Sequence, residues 1–215
     1  MDEVSVKRIL VQDLKFTDSD IKKLEIYAES LLIFNQKYNL ISRNTEKDVW
    51  NRHILDCAQL VKYINFEEPN SLADLGSGAG LPGIILAIFS KNENFHVKLY
   101  EKSPVKVKFL MDIAQKINLS TEILDGDCSL RNIESNFIVC RAFKKLDNLL
   151  KISRETIKKP HKMIILKGKN AQSELNKVSN KSKLNYKLKD SITDNKSKII
   201  IIDALKSETN NYISN

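Results

Sequence analysis

LADLGSGAGLPG, residues 72–83, decides how the rest of the chain is read. A short apolar run ends at Asp74 and Leu75, glycines follow at 76, 78, 80 and 83, and PGIILAIF comes next. That order predicts a strand, a tight loop and a helix. Glycine lets a backbone come close to a ligand, and in open α/β sheets ligands sit beyond the carboxyl ends of the strands. Two ligand classes compete for such a loop: the pyrophosphate of a dinucleotide and the sulfonium cofactor S-adenosylmethionine.

Downstream of the loop, strand and helix patterns alternate. HVKLYE precedes a helical pattern from Pro104 to about Ile117; TEIL and FIVC follow, then a helix near 147–158, KMIILK, and a short helix near 171–179. Such alternation predicts a mostly parallel sheet with helices on both faces. The end of the chain breaks the rhythm. YKLKDSI and SKIIIIDA are separated only by TDNK, too short for a crossover helix, so they should form an antiparallel hairpin and bring the count to seven strands.

Upstream, residues 17–38 place Ile21, Leu24, Tyr27, Ala28, Leu31, Leu32 and Phe34 at helical spacing, with Thr17 and Asp20 as a capping box. A second helix is expected after NLISRN, capped by Thr45 and Asp48, with Val49, Trp50, His53, Ile54, Cys57, Leu60 and Val61 on one side. EEPN at 67–70 breaks the pattern. The expected organisation is therefore a helical extension over 1–66 and an α/β domain over 67–215, packed as one unit.

Composition narrows the setting. The formal charge of +8 favours a polyanionic partner, although only six residues are arginine and a lysine-rich, Asn- and Ile-rich composition accounts for the excess equally well. Cys57, Cys128 and Cys140 are odd in number and show no paired or zinc-ligand spacing, so neither a disulfide framework nor a metal site is expected. No apolar run approaches the roughly 20 residues that span a bilayer. A cytoplasmic, monomeric, metal-free protein is the expectation.

The acids around the loop discriminate between the ligands. Gly78, Gly80 and Gly83 can be read as a dinucleotide G-x-G-x-x-G, a weak signal by itself. Asp74, two residues before the loop, would repel a pyrophosphate and attract a cation, which favours S-adenosylmethionine. Glu101 ends the second strand, where an acid accepts hydrogen bonds from ribose hydroxyls of either cofactor.

GSGAGLPGIILAI, preceded by YNLISRN and RHILDC and followed by CRAF and LKGK, resembles the RsmG family, also called glucose-inhibited division protein B, from about residue 20 to 205. The resemblance implies a Rossmann-like class I methyltransferase: a seven-stranded, mostly parallel sheet with an antiparallel terminal hairpin and N-terminal helices. It also implies transfer of a methyl group from S-adenosylmethionine to N7 of one guanine, guanine 527, in the 16S ribosomal RNA of the small subunit. Carried over by position, cofactor contacts fall on Gly76 and Leu81, on Cys128 and Ser129 after the third strand, and on Arg141. This chain departs from its relatives at GDCSLRN, where a small apolar residue and a glutamate are usual; Asp127 then takes the acid's role toward adenine.

Guanine N7 has a free lone pair, so alignment rather than proton removal should dominate and no general base is required. Arg141 and Lys167 are the expected positioning residues, and Arg52, Lys102, Lys106, Lys167 and Lys169 the expected RNA contacts. His53 is expected to pack rather than react, and Arg52 and Asp56, at i and i+4, are read either as an ion pair or as substrate contacts. Competing readings are a nicotinamide-type dinucleotide oxidoreductase and an inactive RNA-binding relative.

Overall fold

The computed structural model describes residues 1–179 and 184–204. Two N-terminal helices, α1 (Glu3–Gln12) and α2 (Asp18–Asn35), open the chain. The capping box forms as expected: Thr17 N donates to Asp20 Oδ2 at 2.9 Å and Asp20 N donates to Thr17 Oγ1 at 3.3 Å. The α/β part comprises β1 (Ser71–Leu75), α4 (Gly83–Phe89), β2 (His96–Glu101), α5 (Pro104–Lys116), β3 (Glu122–Asp125), β4 (Phe137–Arg141), α6 (Leu146–Thr156), β5 (His161–Lys167), α7 (Ala171–Ser179), β6 (Tyr186–Asp190) and β7 (Lys198–Ala204).

The seven strands lie in the order β3-β2-β1-β4-β5-β7-β6. All pairs among β1 to β5 are parallel, and β7 inserts antiparallel between β5 and β6. The strand order reverses between β1 and β4, with β2 and β3 added on one side and β5 on the other, so the crevice beyond their carboxyl ends is where the topology leaves room for a ligand.

Both faces of the central strands are covered, which is why their sequences read as unbroken apolar runs. Phe137, Val139, Ile164, Leu166, Ile199 and Ile201 join one core with Val6, Leu10, Leu24, Tyr27, Leu31 and Ile54 from the N-terminal segment. Ile138, Cys140, Met163, Ile165, Ile200 and Ile202 face the other way, against Leu149, Ile152 and Leu175 of α6 and α7.

The expected second helix is not regular. A 3-10 stretch (Arg43–Asp48), a π turn (Trp50–Leu55), the single turn α3 (Asp56–Ala58) and a further 3-10 turn (Gln59–Tyr63) replace it. At the π turn a distant side chain takes part. Arg141 Nη2 donates to the Arg52 carbonyl at 2.7 Å, and the Asp56 N–H, its α-helical partner, turns to the His53 carbonyl instead. Nor do Thr45 and Asp48 form a cap: the Thr45 hydroxyl meets His53 Nε2 at 2.8 Å, and Asp48 accepts from Asn51.

Candidate functional site

The loop after β1 is held from below by Asp74 and from the side by Glu101. Asp74 is fully buried, and its Oδ2 accepts from Gly83 N at 2.9 Å while Oδ1 has no hydrogen-bond partner among the described residues. Burial, more than the neighbouring Glu101 charge, pushes its pKa up to about 7. The sequence reading had this carboxylate facing a cationic ligand; the structure places it beneath the loop, where it ties the start of α4 to β1.

Glu101 ends β2 almost buried. Its Oε2 accepts from Gly78 N at 2.8 Å, and its Oε1 accepts from Lys102 N at 2.9 Å and Ser103 N at 2.8 Å. Three of the roughly four acceptor positions of a carboxylate are thus filled by backbone, which fixes the Glu101 side chain against the loop at the edge of a cleft.

That cleft has a volume of about 310 Å³, in the size class of small-molecule sites, and runs from Gly76 past Tyr100 and Glu101 to Asp127, Cys128 and Phe143. Gly76 has φ +69°, and a Cβ there would lie 2.2 Å from Phe143 Cδ2, so only glycine admits the ring. Asp127 Oδ1 accepts from Ser129 N at 2.9 Å and from Ser129 Oγ at 2.7 Å, and these bonds hold its carboxyl below the usual range. Cys128 is a thiol pushed up to about 11 by burial and then by the Asp127 charge. Lys102 and Lys106 border the same cleft.

Other residues read as cofactor contacts take different places. Leu81 is buried and does not line the cleft, and Gly80 makes room for Ile84 and Leu110, which a Cβ would meet at 2.3 and 3.0 Å. Ser129 spends its hydroxyl on Asp127. Arg141 points away, into the N-terminal segment. Its Nη1 lies 2.9 Å from His53 Nδ1 and 3.8 Å from Cys57 Sγ, and its Nε lies 3.3 Å from Asp56 Oδ2.

His53 is accordingly packed. Burial first, then the Arg141 and Arg52 charges, lower its pKa to about 3, so it is neutral at ordinary pH. The Arg52–Asp56 pair does not form: Asp56 faces Arg141, and Arg52 Nη1 reaches Asp194 at 2.8 Å, in the β6–β7 turn.

A second cleft of about 220 Å³ adjoins the first, lined by Arg52, Asp56, Arg141, Lys167, Thr193 and Ser197. Lys167 Nζ donates to the Lys144 carbonyl at 2.6 Å and to Glu174 at 2.9 Å, so it braces the loop after β4, while Lys169 is exposed beside it. Ala142 borders both clefts and has φ +49°. Sequence reading missed Phe143, Ala142, Thr193 and Ser197: nothing in CRAF tells that Phe143 folds back onto Gly76, and no local pattern carries the hairpin turn to the cleft.

Sheet order, reversed last strand, glycine loop and the acid ending β2 define a Rossmann-like methyltransferase. Solved structures with this fold include a SAM-dependent methyltransferase from Aquifex aeolicus, with a TM-score of 0.56, 15% identity and coverage of 70% of this chain and 89% of that one. Fibrillarin from Aeropyrum pernix, with S-adenosylmethionine bound, matches with a TM-score of 0.54, 12% identity and coverage of 71% and 75%. The chain belongs to the rRNA small subunit methyltransferase G family, whose model matches residues 20–202. Its relatives include ribosomal RNA small subunit methyltransferase G of Rickettsia typhi, 36% identical over 86% of this chain and 94% of that protein. The protein of the same name from Pelagibacter ubique is 29% identical over 97% of this chain and its own full length.

Proposed function

We propose that this chain transfers a methyl group from S-adenosylmethionine to N7 of a single guanine, guanine 527, in 16S ribosomal RNA, acting in the cytoplasm on the small subunit or its precursor. The observation that carries the reading is that two clefts, one with the glycine loop and a fixed acid, the other bordered by arginines and a lysine, meet at Ala142.

The residues present fit the cofactor. Gly78 leaves the loop backbone open and Gly76 seats the Phe143 ring beside it, the remaining acceptor position of Glu101 would take a ribose hydroxyl, Asp127 and Cys128 would face the adenine, and Tyr100 and Phe143 would supply ring surface. When bound, S-adenosylmethionine supplies an electrophilic methyl on a sulfonium. This chain's residues then have to bind and align. The N7 lone pair needs no base, and the side chains agree with that: His53 is neutral but spent on Arg141 and Thr45, and the Cys140 thiol is fully buried with its pKa pushed far up by desolvation. Arg52 on the second cleft holds the RNA in register, Arg141 fixes the segment that carries it through Asp56 and the Arg52 carbonyl, and Lys167 keeps the loop after β4 in place. Residues 1–66 and 67–215 act as one unit in this reading, because Arg52, His53 and Asp56 complete the site.

The test is transfer of tritiated methyl to small subunits from cells lacking this gene, with the modified base mapped. Label confined to one guanine N7 is expected. Absence of label from a preparation that binds S-adenosylmethionine in calorimetry overturns the reading.

A further inference from the structure

The face of the sheet covered by the N-terminal segment has a basic margin along β5, β7 and β6, outside the lining of both clefts. Lys162, the second residue of β5, pairs in register with Phe137 on β4 and Asp203 on β7, and Ile201 and Ile199 of β7 pair with Lys187 and Lys189 of β6. Strand alternation puts all of these on one face. Inward, that face is apolar and packs beneath Leu60, Val61 and Ile64. Toward β6 no described residue covers it. There Lys62, Lys162, Lys187 and Lys189 converge on a depression of about 470 Å³ floored by Tyr63, Phe137 and Ile201.

Asp203 is the one carboxylate lining the depression, and no salt bridge joins it, among the described residues, to any of the four lysines. Lysines on an edge strand also discourage strand pairing between molecules. That role explains Lys187 and Lys189 on β6; it does not explain why Lys62, from the turn before β1, and Lys162, from an interior strand, meet them. Four cations from three elements around one hollow, against a single carboxylate that makes no ion pair with them among the described residues, fit a run of phosphates.

We propose that this depression is a second RNA-docking surface, gripping the phosphate backbone of the rRNA at a distance from the target base; the inference rests on the rRNA reading above. Lys162 and Lys167 stand at opposite ends of β5, about 16 Å apart along the strand and on opposite faces of the sheet. An RNA gripped at the depression as well as at the second cleft is held at two places, so the depression sets affinity and orientation and leaves the chemistry to the clefts.

The experiment replaces all four lysines by glutamine (K62Q, K162Q, K187Q, K189Q) and measures binding to 16S rRNA over a salt series. Each phosphate contact contributes roughly 0.7–0.9 to the slope of log affinity against log salt, so the slope should flatten by about 3. Affinity at physiological salt should drop at least tenfold, KM for the subunit should rise, and kcat and S-adenosylmethionine binding should stay unchanged. A matched variant with Lys151, Lys158, Lys159 and Lys177 replaced by glutamine carries the same charge change elsewhere. Unchanged slope in the first variant, or equal flattening in both, overturns the surface. Wild-type protein that binds no rRNA overturns the rRNA reading itself.

Discussion

At Gly76 two independent constraints fall on one residue. Its φ of +69° costs any residue with a Cβ about 1–2 kcal/mol, and that Cβ would collide with Phe143. Gly76→Ala should lower S-adenosylmethionine affinity at least tenfold, read by calorimetry, and lower the melting temperature. Adding Phe143→Ala removes the collision and leaves the backbone cost, so the double variant should recover part of the affinity, the signature of coupled neighbours. Affinities that simply add would mean Phe143 does not press on the loop. Arg141 makes the opposite kind of demand, for a partner. Its guanidinium satisfies Asp56, the Arg52 carbonyl and His53 together, a fork that lysine's single ammonium cannot reproduce. Arg141→Ala leaves Asp56 buried beside an empty position and should cost about 3 kcal/mol in urea unfolding, with Arg141→Lys rescuing little. A loss of methyl transfer with full stability would instead give Arg141 a direct role at the substrate.

The elements that could be read from sequence are those fixed by their own neighbours. Helix α2 carries its cap and its apolar spacing within one stretch, and the hairpin of β6 and β7 follows from a gap too short for a crossover. The glycine loop and Glu101 were legible for the same reason: strand, loop, helix and the next strand's last acid are consecutive. The π turn at Trp50–Leu55 was not, because Arg141, 89 positions on, takes the Arg52 carbonyl there. The β6–β7 turn belongs to the same long-range knot. Gln59 Nε2 donates to Ser191 Oγ at 2.8 Å, Ile192 N donates to Gln59 Oε1 at 3.0 Å, and Ser191 and Thr193 both donate to Asp56 Oδ1. Chain segments so distant in sequence leave no periodicity to read. Gln59→Ala should therefore free the turn, cost about 1–3 kcal/mol through unpaired buried groups, and speed amide exchange over 191–197 before anywhere else in the sheet. Exchange that stays as slow as in the parent would show that the turn is held by the strands alone.

For the molecule as a whole, the two buried groups flanking the clefts set opposing pH dependences of stability. Asp74 has a folded pKa near 7 against 3.8 as its ordinary value, so between about pH 4 and 7 the folded state keeps a proton the unfolded chain has lost, and stability falls as pH rises. His53 has a folded pKa near 3 against 6.5, so between those values the unfolded chain takes a proton the folded state refuses, and stability rises with pH. His161, also lowered by burial, acts in the same sense as His53. Asp2, Asp127 and Asp194 are all lowered and titrate below this window. From pH 4.5 to 6.5 the parent's unfolding free energy should consequently climb only gently, because the Asp74 and His53 slopes cancel. Asp74→Asn removes one side of the balance while its side-chain oxygen can still accept from Gly83 N. Its unfolding free energy should then climb more steeply than the parent's, by up to about 1.4 kcal/mol per pH unit. Urea unfolding at half-unit intervals reads the difference directly. Parallel curves for parent and variant would mean that Asp74 is ionised in the folded protein at pH 5, and that the loop bearing Gly76 rests on a charge rather than on a neutral carboxyl.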